Sequence, residues 1–345
     1  MNTAWTEYLA RLGATFDETA VSFDAPQSEV RAVASGTVAV PLTHLGLIRC
    51  QGEDAVGFLH NLLSNDIKKL GSDAAQWSSF NSAKGRMLAS LLLWKEAEGL
   101  AFAVSADIRA MLQKKLSMYV LRSKVKLSCA DEDVVLIGVS GADVANVLAA
   151  AGAETPPAPM KQTVSGSLRS IRLDTRNAVL AVDAASAPEV FGRLLGAGAV
   201  KAGSAAWQLA MIRAGLPLIT AATQEEFVAQ MLNFEVIGGV SFHKGCYPGQ
   251  EIVARMQYLG KLKKRMYRVH LDCDQAPAAG TDLFAADFGD QSVGKLVNVV
   301  PAPDGGYEAL AVMQTSSASS GDVHAGAPDG PRLEILDLPY TLPDQ

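Results

Sequence analysis

Two periodicities share the chain up to about residue 260, and only one continues beyond it. Residues 76–80, 87–94 and 100–104 are short apolar runs that suit strands. Ile108, Met111, Leu112, Leu116, Tyr119 and Val120 then recur at helical spacing, from a start near Asp107. Strands are expected again at 124–127, 134–139, 167–173 and 178–182. Helices are expected around Val144, Val147 and Leu148, and from Pro188 onward. From residue 266 the helical period is gone. Residues 266–271, 281–285, 292–300, 307–313 and 332–336 read as short strands separated by Gly and Pro. The pattern predicts α+β architecture, with helices laid on antiparallel sheets, followed by a small β-barrel or sandwich.

Local signals refine this outline. Residues 1–30 read as a short helix and a loose lead-in, and 34–40 and 45–50 as strands. Ala55, Phe58, Leu59 and Leu62 mark a helix face ended by Ser64, Asn65 and Asp66. His60 on that helix reads as a structural histidine, since no His or Cys stands at metal spacing from it. Ser204 and Gly215 bracket a helix whose first turn holds Trp207, either core or the wall of a pocket. Thr223 and Glu226 form a capping-box pattern before Phe227 and Met231. The basic run 261–265 reads as a solvated connector and 316–331 as a mobile loop.

With 345 residues, 49% of them apolar, the chain is globular and long enough for two or three domains. No apolar run approaches 18 residues and the first 30 contain no signal-peptide core, so a soluble cytoplasmic protein without membrane contact is expected. The net charge of −6 disfavours direct nucleic-acid binding. The four cysteines are far apart, which disfavours disulfides and a permanently bound metal or cluster. Neither GxGxxG nor a P-loop is present.

Residues 241–260 concentrate the chemistry. Cys246 lies between the basic pair His243–Lys244 and an expected helix, with Pro248 in its first turn and Gly260 as its stop. A cysteine before a helix N-terminus and beside cations favours thiolate over thiol. Gly245 and Gly249 leave the backbone room to bend. A structural cysteine in a tight loop stays open as the plainer alternative. The loop at Lys84, Gly85 and Arg86 reads either as an exposed hairpin or as an anion-binding loop.

The segment Lys244-Gly-Cys-Tyr-Pro-Gly-Gln-Glu251 resembles the signature of the YgfZ family, relatives of the glycine-cleavage T-protein. Asp54, Phe58 and Asn65-Asp66, Ala83-Lys-Gly-Arg86, Ser123-Lys-Val125, Trp207, Ala214-Gly215 with Pro217, and Leu338-Pro-Tyr340 fall in family order. The resemblance covers residues 33–345. It implies a ring-like, T-protein (aminomethyltransferase-like) arrangement of two interleaved α+β domains and a C-terminal β-barrel. The expected divisions are 1–125, 126–262 with the cysteine motif, and 263–345. It also implies tetrahydrofolate or another folate as cofactor, and a role in assembling or repairing iron–sulfur clusters in client proteins, tRNA-modifying enzymes included.

By position, Cys246 with Lys244, Gly245, Tyr247, Gly249, Gln250 and Glu251 would be the functional motif. The sulfur would serve as nucleophile, redox thiol or transient cluster ligand. Trp207 would meet the pterin, and Lys84, Arg86 or Arg255 the glutamate tail. Three departures stand out. Ala89 and Ser90 occupy the place of the T-protein's catalytic carboxylate, which disfavours the alternative of a one-carbon (aminomethyl) transferase. Arg213 replaces a glutamate, and Leu45 a folate-associated tryptophan.

Overall fold

The computed structural model describes residues 2–258 and 262–343. Two compact units emerge, each assembled from separated stretches of chain. The first comprises residues 1–58, 68–76 and 92–210, and the second 59–67, 77–91 and 211–345.

The first unit contains a six-stranded sheet. Its order is Gln162–Ser165, Leu168–Arg172, Asn177–Asp183, Val134–Ser140, Val38–Pro41 and Val200–Lys201. Every pairing is antiparallel except the last. The helices Thr3–Arg11, Val144–Ala150 and Ala187–Gly196 cover one face, where Trp5, Leu9, Leu148, Phe191 and Leu194 meet Ile137 and Val139. Alternation along Val134–Ser140 turns Gly138 to the opposite face, and there the Trp207 ring lies against it. A Cβ at position 138 would stand 2.6 Å from Cζ3 and 2.9 Å from Cδ2 of that indole. Gly138→Ala is therefore expected to destabilise the protein by about 1–3 kcal/mol through overpacking. Urea unfolding followed by tryptophan fluorescence checks this. The unit also holds the antiparallel strands Leu45–Gln51, Gly99–Ser105 and Lys126–Cys129, with residues 92–96 pairing to Gly99–Ser105.

In the second unit six strands run in the order Val323–Ala325, Asp282–Ala285, Gly294–Pro301, Tyr307–Gln314, Lys264–Leu271 and Leu333–Leu336. A bridge between His324 and Arg332 joins the two edges, so the sheet curls closed on an apolar interior of Val269, Leu283, Leu296, Ala311 and Met313. The barrel expected beyond residue 260 is present. Tyr340, from the closing motif, donates its hydroxyl to the Gly215 carbonyl at 2.9 Å. Asn298 exchanges two 2.9 Å hydrogen bonds with the backbone of Leu218.

Several local expectations are corrected. A helix, Pro26–Ser35, occupies part of the supposed lead-in and of the strand expected at 34–40. The helix Ala106–Ser117 ends before Tyr119 and Val120. Among the described residues no α-helix follows the Thr223 pattern, and Met231 lies instead in the short 3₁₀ turn Ala229–Leu232. Thr223 instead closes a short 3₁₀ turn with Thr220, and Glu225, at φ +61°, diverts the chain so that Phe227 accepts from the Met87 N–H. The stretch 316–331 is not merely loop. It contains the helix Thr315–Ser320, whose Ser317 and Ala318 are buried, and the strand Val323–Ala325. Arg265 in the basic run is buried in an ion pair with Glu235 and not solvated. Residues 259–261, with the expected stop at Gly260, lie outside the described residues. Among the described residues no helix is long and apolar enough to cross a membrane.

Candidate functional site

The Cys246 loop belongs to the second unit and is held from both ends. Upstream, the corner at Ser64–Asp66 grips the chain that leads into it. The Ser64 hydroxyl donates to the Gly239 carbonyl at 2.7 Å, Asn65 Nδ2 donates to Gly238 at 2.7 Å, and the Ser241 N–H donates to Ser64 at 3.0 Å. Lys244 then anchors the loop itself. Its ammonium donates to the carbonyls of His60 and Leu63 and lies 4.9 Å from the centroid of the Tyr247 ring. Cations are favoured at a helix C-terminus, where carbonyls lack partners. Lys244 uses its charge there, whereas the expectation aimed it at the sulfur. Tyr247 is buried, and burial pushes its hydroxyl up to about 12, so it stays neutral.

Downstream the chain turns sharply. Gln250 donates its N–H to the Tyr247 carbonyl at 3.1 Å, with Pro248 second in the turn and Gly249 third at φ +77°. Those positions suit proline's fixed φ and glycine's access to left-handed backbone. The helix Gln250–Tyr258 begins only after this turn. Pro248 therefore shapes the turn and does not occupy the first helical position. Val253 buries itself, and its carbonyl accepts Gln230 Nε2 at 2.6 Å, while Glu251 and Arg255 are exposed.

Gly249 packs directly on Gly85 of the Lys84 loop. A Cβ on Gly249 would stand 2.5 Å from Gly85 Cα and 2.6 Å from the Ser82 carbonyl oxygen. Gly85, also left-handed at φ +73°, leaves space for Ile252. Two motifs far apart in sequence thus meet backbone to backbone. Lys84 is exposed at this corner. Arg86 directs its guanidinium to the carbonyls of Glu225 and Glu226, the latter at 2.5 Å. In the strand Met87–Glu96, Ala89 and Ser90 are buried, and the Ser90 hydroxyl accepts the Ile219 N–H at 3.0 Å.

Within the loop Cys246 and His243 are exposed. Of the other cysteines, Cys50 is buried, Cys129 exposed and Cys273 half-buried. Among the described residues no three His, Cys, Asp or Glu side chains gather as a metal site. Trp207, in the first unit, is 3% exposed and packs as core. Arg213 is not isolated, since Glu308 on the barrel receives it at 2.5 Å and Arg268 at 3.1 Å. An acid contributed from the barrel thus balances the basic residue at that helix end.

Three groups near the site escaped sequence reasoning. His60 is buried with Nδ1 3.3 Å from Asp66 Oδ1. Glu235 and Arg265 pair in the interior. Asn81, 1% exposed, has neither amide atom hydrogen-bonded among the described residues. Only the closeness of His60 to Asp66 in sequence could have suggested any of these.

A family model described as the GCVT N-terminal domain matches residues 6–172. The solved aminomethyltransferase T of the glycine cleavage system from Bartonella henselae superposes with a TM-score of 0.76 over 99% of this chain and 98% of that one. At 18% identity, this likeness establishes the fold alone, an α+β T-protein fold. The curated tRNA-modifying protein YgfZ of Yersinia pseudotuberculosis (strain IP 31758) is 30% identical over 329 residues, covering 93% of this chain and 99% of the relative. The Yersinia enterocolitica protein of the same name is 31% identical over 307 residues, covering 88% of this chain and 92% of its own. With the Lys244–Glu251 signature built into one anchored loop, the chain belongs to the YgfZ family.

Proposed function

We propose that this protein is a folate-binding accessory factor that helps build or repair iron–sulfur clusters in other proteins, tRNA-modifying enzymes included, with Cys246 as its working thiol. The observation that carries this reading is the setting of that cysteine. Its residue is exposed, yet the loop bearing it is fixed by Lys244, by the Ser64–Asp66 corner and by the Gly249–Gly85 contact. A cysteine kept only for packing is normally buried. One thiolate supplies one of the four ligands that a cluster takes, so a client or carrier would provide the rest. The names of the curated relatives support the tRNA-modification side.

The residues present fit a folate. Asn81 offers a buried donor and acceptor without partners among the described residues, which suits the edge of a pteridine. Lys84 and Arg255 are exposed cations suited to glutamate carboxylates. Arg86 would contribute through its hold on residues 225–226. A bound tetrahydrofolate would supply a carrier of one-carbon units. The transferase alternative is weaker, because Ala89 and Ser90 offer no carboxylate and the cysteine would have no duty in it.

Cys246→Ala is expected to leave folding stability within about 0.5 kcal/mol, as for an exposed side chain, and saturable tryptophan quenching by tetrahydrofolate unchanged. It is expected to abolish restoration of a cluster-dependent tRNA modification in cells lacking the endogenous factor. Full restoration by this variant would remove the thiol from the mechanism. Absence of saturable quenching in the unaltered protein would remove the folate.

A further inference from the structure

The helix Ala106–Ser117 buries Ile108, Leu112 and Leu116 and leaves another face to solvent. Met111, Lys114 and Met118 lie on that face at i, i+3 and i+7, and all three are exposed. Met118, the cap residue, keeps helical backbone at φ −68° and ψ −20°. Beyond it the chain folds into a turn in which the Ser123 N–H donates to the Val120 carbonyl at 2.7 Å. Leu121 stands in that turn, 89% exposed and at φ +45°. Left-handed backbone disfavours a residue with a Cβ, and a leucine in water gains nothing from the core. Neither the conformation nor the side chain stabilises the fold.

The turn is nonetheless held. The Lys124 N–H donates to Asp54 Oδ2 at 2.8 Å, and its ammonium to Glu53 Oε2 at 2.7 Å. The Gln113 amide donates to the Leu127 carbonyl at 3.1 Å, which ties the helix to the strand Lys126–Cys129. Tyr119, Arg122 and Lys126 flank Leu121 in sequence, and all are exposed. Lys114, Arg122 and Lys126 have no ion-pair partner among the described residues, although the chain as a whole carries a net charge of −6.

We propose that the surface carried by residues 111–126 docks another protein, one that offers an apolar recess for Leu121 and Met118 with Asp and Glu at its rim. Met, Tyr and Arg are the residue types that protein interfaces favour at their centre, and methionine adapts to more than one partner. The unpaired cations select an acidic surface and speed its approach. A turn already fixed before contact loses little freedom on binding. A lipid surface asks for a broad apolar helix face, and here the broad face is spent on the core. The phosphates of a nucleic acid would answer the cations but leave Leu121 and the methionines without apolar partners. The docking surface does not depend on the role proposed for Cys246.

The test places the photo-crosslinker p-benzoyl-phenylalanine at position 118 of the full-length protein and irradiates living cells. A dominant protein adduct is expected, mapped by mass spectrometry to apolar residues bordered by Asp and Glu. Its yield should fall at least about tenfold when Arg122→Glu and Lys126→Glu are combined, and return when an acid at the mapped site is changed to Lys. An adduct on lipid or RNA, no adduct, or a protein adduct indifferent to these charge reversals would overturn the proposal. Leu121→Gly separates docking from folding. Glycine accepts φ +45° without strain, so the urea midpoint should hold or rise, while the adduct yield falls at least about tenfold. A lowered midpoint would make Leu121 a structural residue, and an undiminished yield would remove it from the interface; either result overturns the proposal. Neither measurement reads folate or Cys246, so both can fail while the proposed function stands.

Discussion

Gly249→Ala is expected to destabilise the protein by about 3 kcal/mol or more. Left-handed backbone costs a non-glycine residue roughly 1–2 kcal/mol, and forcing a methyl into packed atoms adds about 1–3 kcal/mol. Both terms apply at this position. Gly249 sits at φ +77°, and its Cβ would meet Gly85 Cα at 2.5 Å, the Ser82 oxygen at 2.6 Å and Gly85 N at 2.7 Å. All three are backbone atoms, which cannot rotate aside as a flexible side chain would. Relief requires the loop to lift from the Lys84 corner and to carry Cys246 with it. Urea unfolding measures the first effect, and loss of complementation the second. Gly245→Ala is the control. It has no left-handed φ, and its Cβ would meet only His60 Nε2, at 3.9 Å, so a change within about 1 kcal/mol is expected. Equal losses in the two variants would refute this account of the motif.

Arg265→Met is expected to cost about 3–5 kcal/mol at pH 7–8, the range found when one member of a buried ion pair is removed. Both side chains of the Arg265–Glu235 pair are 8% exposed. Arg265 also donates to the Gln230 carbonyl at 3.2 Å and to Asn233 Oδ1 at 3.4 Å. Burial already raises the Glu235 carboxyl above its usual range, and Arg265 opposes that rise. Without the guanidinium it would rise further. A carboxyl raised in the folded state binds its proton more tightly there than in the unfolded chain. Stability is then highest below the unfolded value and falls as pH rises through the folded one. The loss should therefore be smaller near pH 5 than at pH 8. Denaturation midpoints across that interval test the sign, and a loss that grows toward acid would contradict it.

The parts of this fold that local periodicity encodes were legible in the chain. The barrel strands alternate over a few residues, and the turn residues between them stand in the sequence. Trp207 and Gly138 show the limit. The glycine marks a close approach, but nothing nearby says that the indole of Trp207, 69 positions later, fills it. The helix Pro26–Ser35 was missed although Pro26 and Glu29 are N-terminal helix signals, because its apolar face is confined to Val30 and Val33. The capping pattern at Thr223 was real chemistry used for another purpose, since tertiary pairing with Met87 overrode helix propensity. Charge was the least legible property. Lys244 was expected to act on sulfur and instead closes a helix end, while Arg265 left its basic run for a carboxylate thirty residues away. A string of residues displays which charges exist but not which carbonyl or acid each one meets.

The division of the chain between the two units has a consequence during synthesis. Residues 77–91 belong with residues 211–345, yet 119 residues lie between Leu91 and Met211. At about 5–20 residues per second, a ribosome needs roughly 6–24 s to span that interval. Met87 and Leu88, both buried at the end, must wait through it on a nascent chain before residues 224–227, which hydrogen-bond to them, are made. That delay exposes hydrocarbon to water and to other nascent chains, so cellular yield is governed partly by what shelters the half-made polypeptide.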